Sequence, residues 1–245
     1  MSVVAVIPAR MGSKRLPAKV LADVQGTPLV VHVWQIVSGC DAVDRVIVAT
    51  DSDEIEMVVS AAGAEVFRST GVHTTGTDRV AEAVASMNAR VVLNVQADNA
   101  FLDTTILESV ISCLADPSIQ VATPICPFPD HLDPTEPSKV KAAIGDQGDA
   151  VYFSRAPIPY GGPWWLHVGV YGFQAPVVQQ FAGWSPGLLE SREDLEQLRF
   201  IENGVSIRTI QVAYSGVGVD TPSDIARLSS RIPPRQLHEF RGSDA

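Results

Sequence analysis

The sequence predicts an α/β protein built on a mostly parallel sheet. Three observations carry this expectation. The chain opens on an uninterrupted apolar run, Val3 to Ile7, the pattern of a strand buried on both faces. Strand-like and helix-like segments then alternate as far as residue 118. Between the first strand and the first helix lies a basic, glycine-containing loop, Ile7 to Lys19, in the position where α/β proteins hold polyphosphate.

That loop carries Arg10, Lys14, Arg15 and Lys19, with no carboxylate before Asp23, in a chain of formal net charge -10. Gly12, Ser13 and Pro17 keep it from continuing as a helix. It lacks both the Walker pattern and Gly-x-Gly-x-x-Gly, which disfavours a P-loop NTPase and an ordinary dinucleotide dehydrogenase.

The remaining elements follow in order. Thr27-Pro28 predicts an N-cap and first helical position for a helix over Leu29 to Ser38 that ends at Gly39. Its His32 is read as a surface or capping group. Arg45 to Thr50 is a second strand, and Asp51-Ser52 caps the helix that closes at Gly63. Glu65 to Phe67 is a short third strand. The segment His73 to Arg79 enters a helix over Val80 to Asn88, capped by Thr77 or Asp78; its hydroxyls, Gly76 and Arg79 also suit a polar ligand near a helix start. Arg90 to Gln96 is a strand apolar on both faces, and Asp98 stands just past its carboxyl end, where a hard cation binds in α/β crevices. Capping is the bland role for Asp98, yet Asp103 already precedes the next helix, Thr104 to Leu114.

After residue 118 the rhythm changes. Ile119 to Ile125, Val140 to Ile144 and Ala150 to Phe153 predict strands, with a hairpin turn at Asp146-Gln-Gly148. Leu166 to Gly172 predicts another. These form a small antiparallel insert, about residues 119–175, over the crevice on the second-substrate side and at a subunit interface. Glu190 to Arg199 begins a helix whose Glu190, Glu193 and Gln197 share a face, ordinarily a solvated one. A strand over Val205 to Val212 leads to Asp220, a second carboxylate in a Gly-flanked turn, with capping of the last helix as its bland role. Residues 1–230 make one domain, and residues 231–245 a loosely held tail.

Composition sets the outer limits. With 46% apolar and 19% charged residues, a sizeable core is available. The acidic balance argues against a nucleic-acid partner, and no apolar run approaches the ~18–20 residues that span a bilayer. The first residues lack the cationic start and cleavage pattern of a signal peptide, and Cys40, Cys113 and Cys126 have no zinc-ligand spacing. Free thiols in a reducing cytoplasm are expected.

Seven segments together resemble one family. Ile7-Pro-Ala-Arg-x-x-Ser-x-Arg-Leu-Pro-x-Lys19, Gly76-Thr-Asp-Arg79, Asn94-Val-Gln-x-Asp98 and Tyr152-Phe-Ser-Arg155 are similar to signatures of the 3-deoxy-manno-octulosonate (Kdo) cytidylyltransferases. So are His167-x-Gly-x-Tyr171, Leu195-Glu-Gln-Leu-Arg199 and Gly218-Val-Asp-Thr-Pro222. The resemblance implies a nucleotide-diphospho-sugar transferase fold, a Rossmann-like mixed sheet with helices on both faces, and a homodimer. It implies transfer of CMP from CTP to a 2-keto sugar acid with release of pyrophosphate, in lipopolysaccharide biosynthesis. By the same resemblance Arg10, Ser13, Arg15 and Lys19 contact the triphosphate, and Arg79, Gln96 and Asp98 line the cytidine and metal side. Asp98 and Asp220 hold Mg2+, while Arg155, His167, Tyr171, Glu196 and Gln197 face the sugar acid.

Departures concentrate on the acceptor half. Members usually read Gln-Gly-Asp-Glu/x-Pro where this chain has Gln96-Ala-Asp-Asn-Ala100, and Leu-Pro-Gly-Lys-Pro where it has Leu16-Pro-Ala-Lys-Val20. A basic residue often precedes the motif histidine where this chain has Leu166, which removes a carboxylate partner. The acceptor is therefore open between Kdo, an amino variant of it and another acid such as a phosphonate. A nucleotide-binding homologue without turnover is the contrasting reading.

Overall fold

A computed structural model describes residues 2–12, 16–213, 218–219 and 221–231. Ser13, Lys14, Arg15, Asp220 and the predicted tail from residue 232 lie outside the described residues.

Strand β1 (Val3–Ala9) is the axis of the sheet, paired in parallel with β4 (Arg45–Thr50) on one side and β6 (Val91–Val95) on the other. Its continuous apolar run serves two cores, because side chains alternate across a strand. Val3, Ala5, Ile7 and Ala9 pack with residues of α1 (Leu29–Ser38), α2 (Asp53–Ala61) and α4 (Thr104–Cys113). Val4 and Val6 pack the other way, with α3 (Gly76–Val84) and α5 (Ala175–Gly183). Helices thus cover both faces, as the sequence predicts.

The parallel part ends at β5 (Glu65–Arg68), which pairs with β4. On the far side of β6 the antiparallel strands continue the same sheet. These are β7 (Val121–Pro127), β8 (Lys141–Ile144), β9 (Ala150–Ser154), β10 (Trp165–His167) and β11 (Val170–Gln174), in the order β5-β4-β1-β6-β11-β7-β10-β8-β9. Strand β12 (Ile207–Gln211) adds to β7 in parallel.

Three local expectations change. Thr27–Pro28 forms β3, paired with β2 (Asp23–Val24), and the ribbon is tied to α1 by His32 Nε2, 2.9 Å from the Val24 carbonyl. The strand expected over Leu166 to Gly172 is split, because β10 pairs with β8 and β7 whereas β11 pairs with β6 and β7. The helix expected from Glu190 is broken into α6 (Leu188–Glu193) and α7 (Leu198–Glu202) at Asp194, which adopts φ +53°. The last helix, α8, spans Pro222–Arg231.

Candidate active site

A cleft of about 380 Å³ opens at the carboxyl ends of β1 and β6, lined on one side by Arg10, Gly76, Gln96 and Asp98 and on the other by Arg155, His167, Tyr171, Glu196 and Gln197. This is where ligands bind in open α/β sheets.

The first side is built from chain that leaves the parallel strands. Arg10 directly follows β1. The loop then turns at Ala18, whose φ of 53° lies in the left-handed region, and a short 3-10 turn over Lys19–Leu21 follows. That turn sends Lys19 inward, and its Nζ donates to Asp98 Oδ2 at 2.5 Å. Asp98 is spared from capping: Asp103 Oδ1 accepts from the Thr105 amide of α4 at 2.9 Å. Ala97, with its added methyl, is buried in the core without positive φ.

Asp220 is outside the described residues, as are Ser13 and Arg15, but its neighbours are informative. The Val219 amide donates to the Asp98 carbonyl at 2.9 Å. Helix α8 is capped by Thr221 and Asp224 in reciprocal bonds, Asp224 N to Thr221 Oγ1 at 3.2 Å and Thr221 N to Asp224 Oδ2 at 2.9 Å.

Helix α3 enters the cleft through its own capping box, formed by Thr75 and Asp78 rather than Thr77. A Cβ at Gly76 would lie 3.3 Å from both Gln96 Nε2 and Pro8 Cγ, so a side chain here would push those neighbours by a few tenths of an ångström. Asn94 bridges the two walls of this side, donating to Thr77 Oγ1 at 3.0 Å and accepting from Gln96 Nε2 at 3.4 Å. Arg79 is buried outside the cleft lining. Its Nη2 donates to Asp51 Oδ2 at 2.8 Å, which holds the Asp51 carboxyl below its ordinary range, and its buried Nη1 has no hydrogen-bond partner.

The opposite side comes from the antiparallel strands and the break between α6 and α7. His167 Nε2 is 2.9 Å from Thr123 Oγ1, and that hydroxyl donates its proton to the Val170 carbonyl at 2.7 Å. Thr123 must then accept, so Nε2 carries the imidazole proton and Nδ1 is the acceptor. Burial pushes the His167 pKa down to about 3, so the ring is neutral near pH 7. Tyr171 lies beside it with the rings tilted by 42°, and burial raises its phenol well above the ordinary value. Glu196 Oε2 accepts from the Thr77 amide at 3.0 Å, joining the two sides, while desolvation raises its pKa. Gln197 is buried, and its Nε2 has no hydrogen-bond partner, so an amide donor is available to a ligand acceptor. Arg155 borders the cleft, but Nε, Nη1 and Nη2 donate to the main-chain carbonyls of Glu193, Pro137 and Asp194.

Two arginine-centred ties hold this wall. Besides Arg155, Arg199 pairs through Nη2 and Nε with Glu190 at 2.6 and 2.7 Å and through Nη1 with Asp78 at 2.9 Å. The supposed solvated face at Glu190 is thus a buried ion pair. Sequence reasoning also passed over Lys139, which lines the cleft from the residue before Val140. Its signal was two lysines, 139 and 141, at alternate positions of an apolar run.

Among the described residues no three His, Cys, Asp or Glu side chains group as a metal site. Asp98 offers hard oxygen donors in the cleft, and Mg2+ commonly takes one or two carboxylates with water and substrate phosphates. The donors fit an ion that arrives with a triphosphate.

Comparison with known proteins gives the family and the fold. Residues 4–207 match the family model described as cytidylyltransferase. A 3-deoxy-manno-octulosonate cytidylyltransferase of Geobacter metallireducens is 36% identical over 97% of this chain and 100% of that protein. One from an Anaeromyxobacter species is 43% identical over 92% of this chain and 94% of that protein. Among solved structures, a CMP:2-keto-3-deoxy-manno-octonic acid synthetase complexed with CTP superposes with a TM-score of 0.87 at 35% identity, covering 94% of this chain and 98% of that one.

Proposed function

The chain belongs to the 3-deoxy-manno-octulosonate cytidylyltransferase family, and we propose that it transfers CMP from CTP to the anomeric hydroxyl of Kdo, releasing pyrophosphate in a Mg2+-dependent reaction. The observation that carries this reading is one cleft with two chemically distinct walls. Arg10 and Asp98, the latter paired to Lys19, stand on one, and the neutral His167, Tyr171 and the unpartnered Gln197 Nε2 on the other.

The hydroxyl oxygen attacks the α-phosphorus in line with the bond to the leaving phosphate. The new P–O bond forms as the α–β bridging bond breaks, pyrophosphate leaves with the electron pair, and the hydroxyl proton passes to solvent. Such transfers need positioning and charge neutralisation more than covalent chemistry. Asp98 and Asp220 would hold Mg2+, which when bound would supply charge neutralisation at the phosphates and a lowered pKa for the attacking hydroxyl. Lys19 and Arg10, with Ser13 and Arg15 of the same loop, hold the triphosphate. Gln96 lines the nucleotide side, and Arg79 supports it from behind through Asp51. His167 Nδ1 accepts from a sugar hydroxyl and Gln197 Nε2 donates to one, so these groups orient the acceptor and carry no proton through the reaction. Glu196 ties the acceptor wall to α3, and Arg155 fixes the loops around it. The working place is the reducing cytoplasm, which suits the free thiols of Cys40, Cys113 and Cys126. A homodimer completes the reading, with β9, the last strand in the sheet order and bearing the exposed Val151, as the pairing surface.

Pyrophosphate release with CTP and a panel of acids tests the proposal. Turnover with Kdo is expected. Turnover with a phosphonate but not Kdo would move the chain to another acceptor, and CTP binding without turnover of any acid would reduce it to a nucleotide-binding homologue.

A further inference from the structure

An acid acceptor brings a negative charge into a chain of formal net charge -10, so the acceptor wall needs a cation with bonding capacity to spare. Besides Arg199, which is committed to Glu190 and Asp78, three cations border that wall. Arg155 is committed, since its three guanidinium nitrogens bond main-chain carbonyls at 2.6, 2.9 and 2.8 Å. Lys141 is fully buried, outside the cleft lining, and donates to the carbonyls of Arg155 and Glu136.

Lys139 is different. It lines the cleft, and the His167 amide bonds the carbonyl of the adjacent Val140 at 2.9 Å, which holds this segment beside the histidine. Its side chain is only 7% exposed, yet its counter-ion is Glu136 Oε1 at 3.5 Å, on a side chain 42% exposed. An ammonium has three donors, and one long contact to a half-exposed carboxylate uses little of that capacity. A buried charge so paired keeps much of its desolvation cost, which an incoming carboxylate at hydrogen-bond distance would offset. Glu136 keeps a partner of its own, since its Oε1 also accepts from the Ser138 hydroxyl. Leu166, apolar and buried on β10 opposite Lys141 of β8, supplies no charge from the neighbouring strand.

Resting on the function proposed above, we infer that Lys139 binds the acceptor's carboxylate and selects acids over neutral sugars. The test is steady-state kinetics of Lys139→Met, Lys139→Gln and Lys139→Arg beside wild type, with CTP, Mg2+, Kdo and the carboxamide of Kdo. Loss of a charge-assisted contact should raise the KM for Kdo about 10- to 100-fold, with the KM for CTP unchanged. Lys139→Arg should restore part of the loss. Wild type should prefer acid to amide by at least about tenfold more than the Met and Gln variants, a ratio that general loosening of the fold would not move. Variants with the wild-type circular dichroism spectrum and CTP affinity, but an unchanged Kdo KM and acid-to-amide ratio, would overturn the inference while leaving the function standing. If wild type binds CTP and turns over no acid, the function falls and this inference with it.

Discussion

Replacing Arg199 with Met should destabilise the protein more than any substitution on the cleft surface. The side chain is 2% exposed and serves two carboxylates, Glu190 at 7% and Asp78 at 14% exposed, from elements far apart in sequence. Met keeps most of the volume over the Phe181 ring, which the guanidinium carbon approaches to 4.0 Å. The loss is therefore mainly electrostatic: both carboxylates stay buried without a cation. Breaking a buried pair by removing one partner costs about 3–5 kcal/mol. At about 2–4 °C per kcal/mol for a chain of this size, the melting temperature should fall by about 6–20 °C. Urea unfolding of wild type, Arg199→Met and the double variant Arg199→Met/Glu190→Gln measures this, and the double variant should recover part of the loss because one orphaned charge is gone. A single-variant loss below about 1 kcal/mol, the scale of an exposed pair, would refute the reasoning, since the network would then be as well solvated as a surface salt bridge.

Three further outcomes follow from the site. Asp98→Asn and Asp220→Asn should each lower kcat about 100-fold or more, and Lys19→Ala should weaken both CTP binding and turnover; near-full activity with Mg2+ in both Asp variants would remove the metal assignment. Ala18→Gly should stabilise by about 0.5–1 kcal/mol, the excess of the left-handed penalty at φ +53° over the entropy cost of glycine, read by denaturant unfolding. His167 is neutral when folded, its pKa lowered from 6.5 to about 3, so the folded state binds fewer protons than the unfolded one across that interval. Its contribution to stability is complete above about pH 6.5 and is lost as pH falls toward about 3. His167→Gln should flatten that limb of the stability–pH curve, and an unchanged slope would place the ring in water.

What the sequence made legible was what short-range rules govern. The run Val3 to Ile7, Asp103 as the cap of α4, and Asp98 past β6 each needed only neighbours in the chain. The break at Asp194 did not. Local propensity favours one helix from Glu190, but Arg155 takes the carbonyls of Glu193 and Asp194 from 38 and 39 residues away. Likewise the pairing of Arg199 lay beyond short-range rules, because its partner Asp78 is 121 residues distant. Ala18 shows the opposite case, a residue whose left-handed φ is visible only once the turn toward Asp98 is built.

These long-range ties have a consequence for specificity. The nucleotide wall hangs from β1 and β6, each hydrogen-bonded on both edges, so its side chains are positioned by the sheet itself. The acceptor wall between α6 and α7 has no such support and is held by guanidinium groups on main-chain carbonyls and buried carboxylates. Sheet hydrogen bonds do not depend on side-chain identity, whereas these ties do. Substitutions at Arg155, Glu190 or Arg199 should therefore disturb the acceptor wall before the nucleotide wall. A change of acceptor charge can instead be made at a position such as Lys139, which lines the cleft and whose ion pair is the long 3.5 Å contact to Glu136. Holding residues and contacting residues are separate on this wall, so Lys139→Gln should alter which acceptor is used at little cost in melting temperature, whereas Arg199→Met should lower the melting temperature steeply.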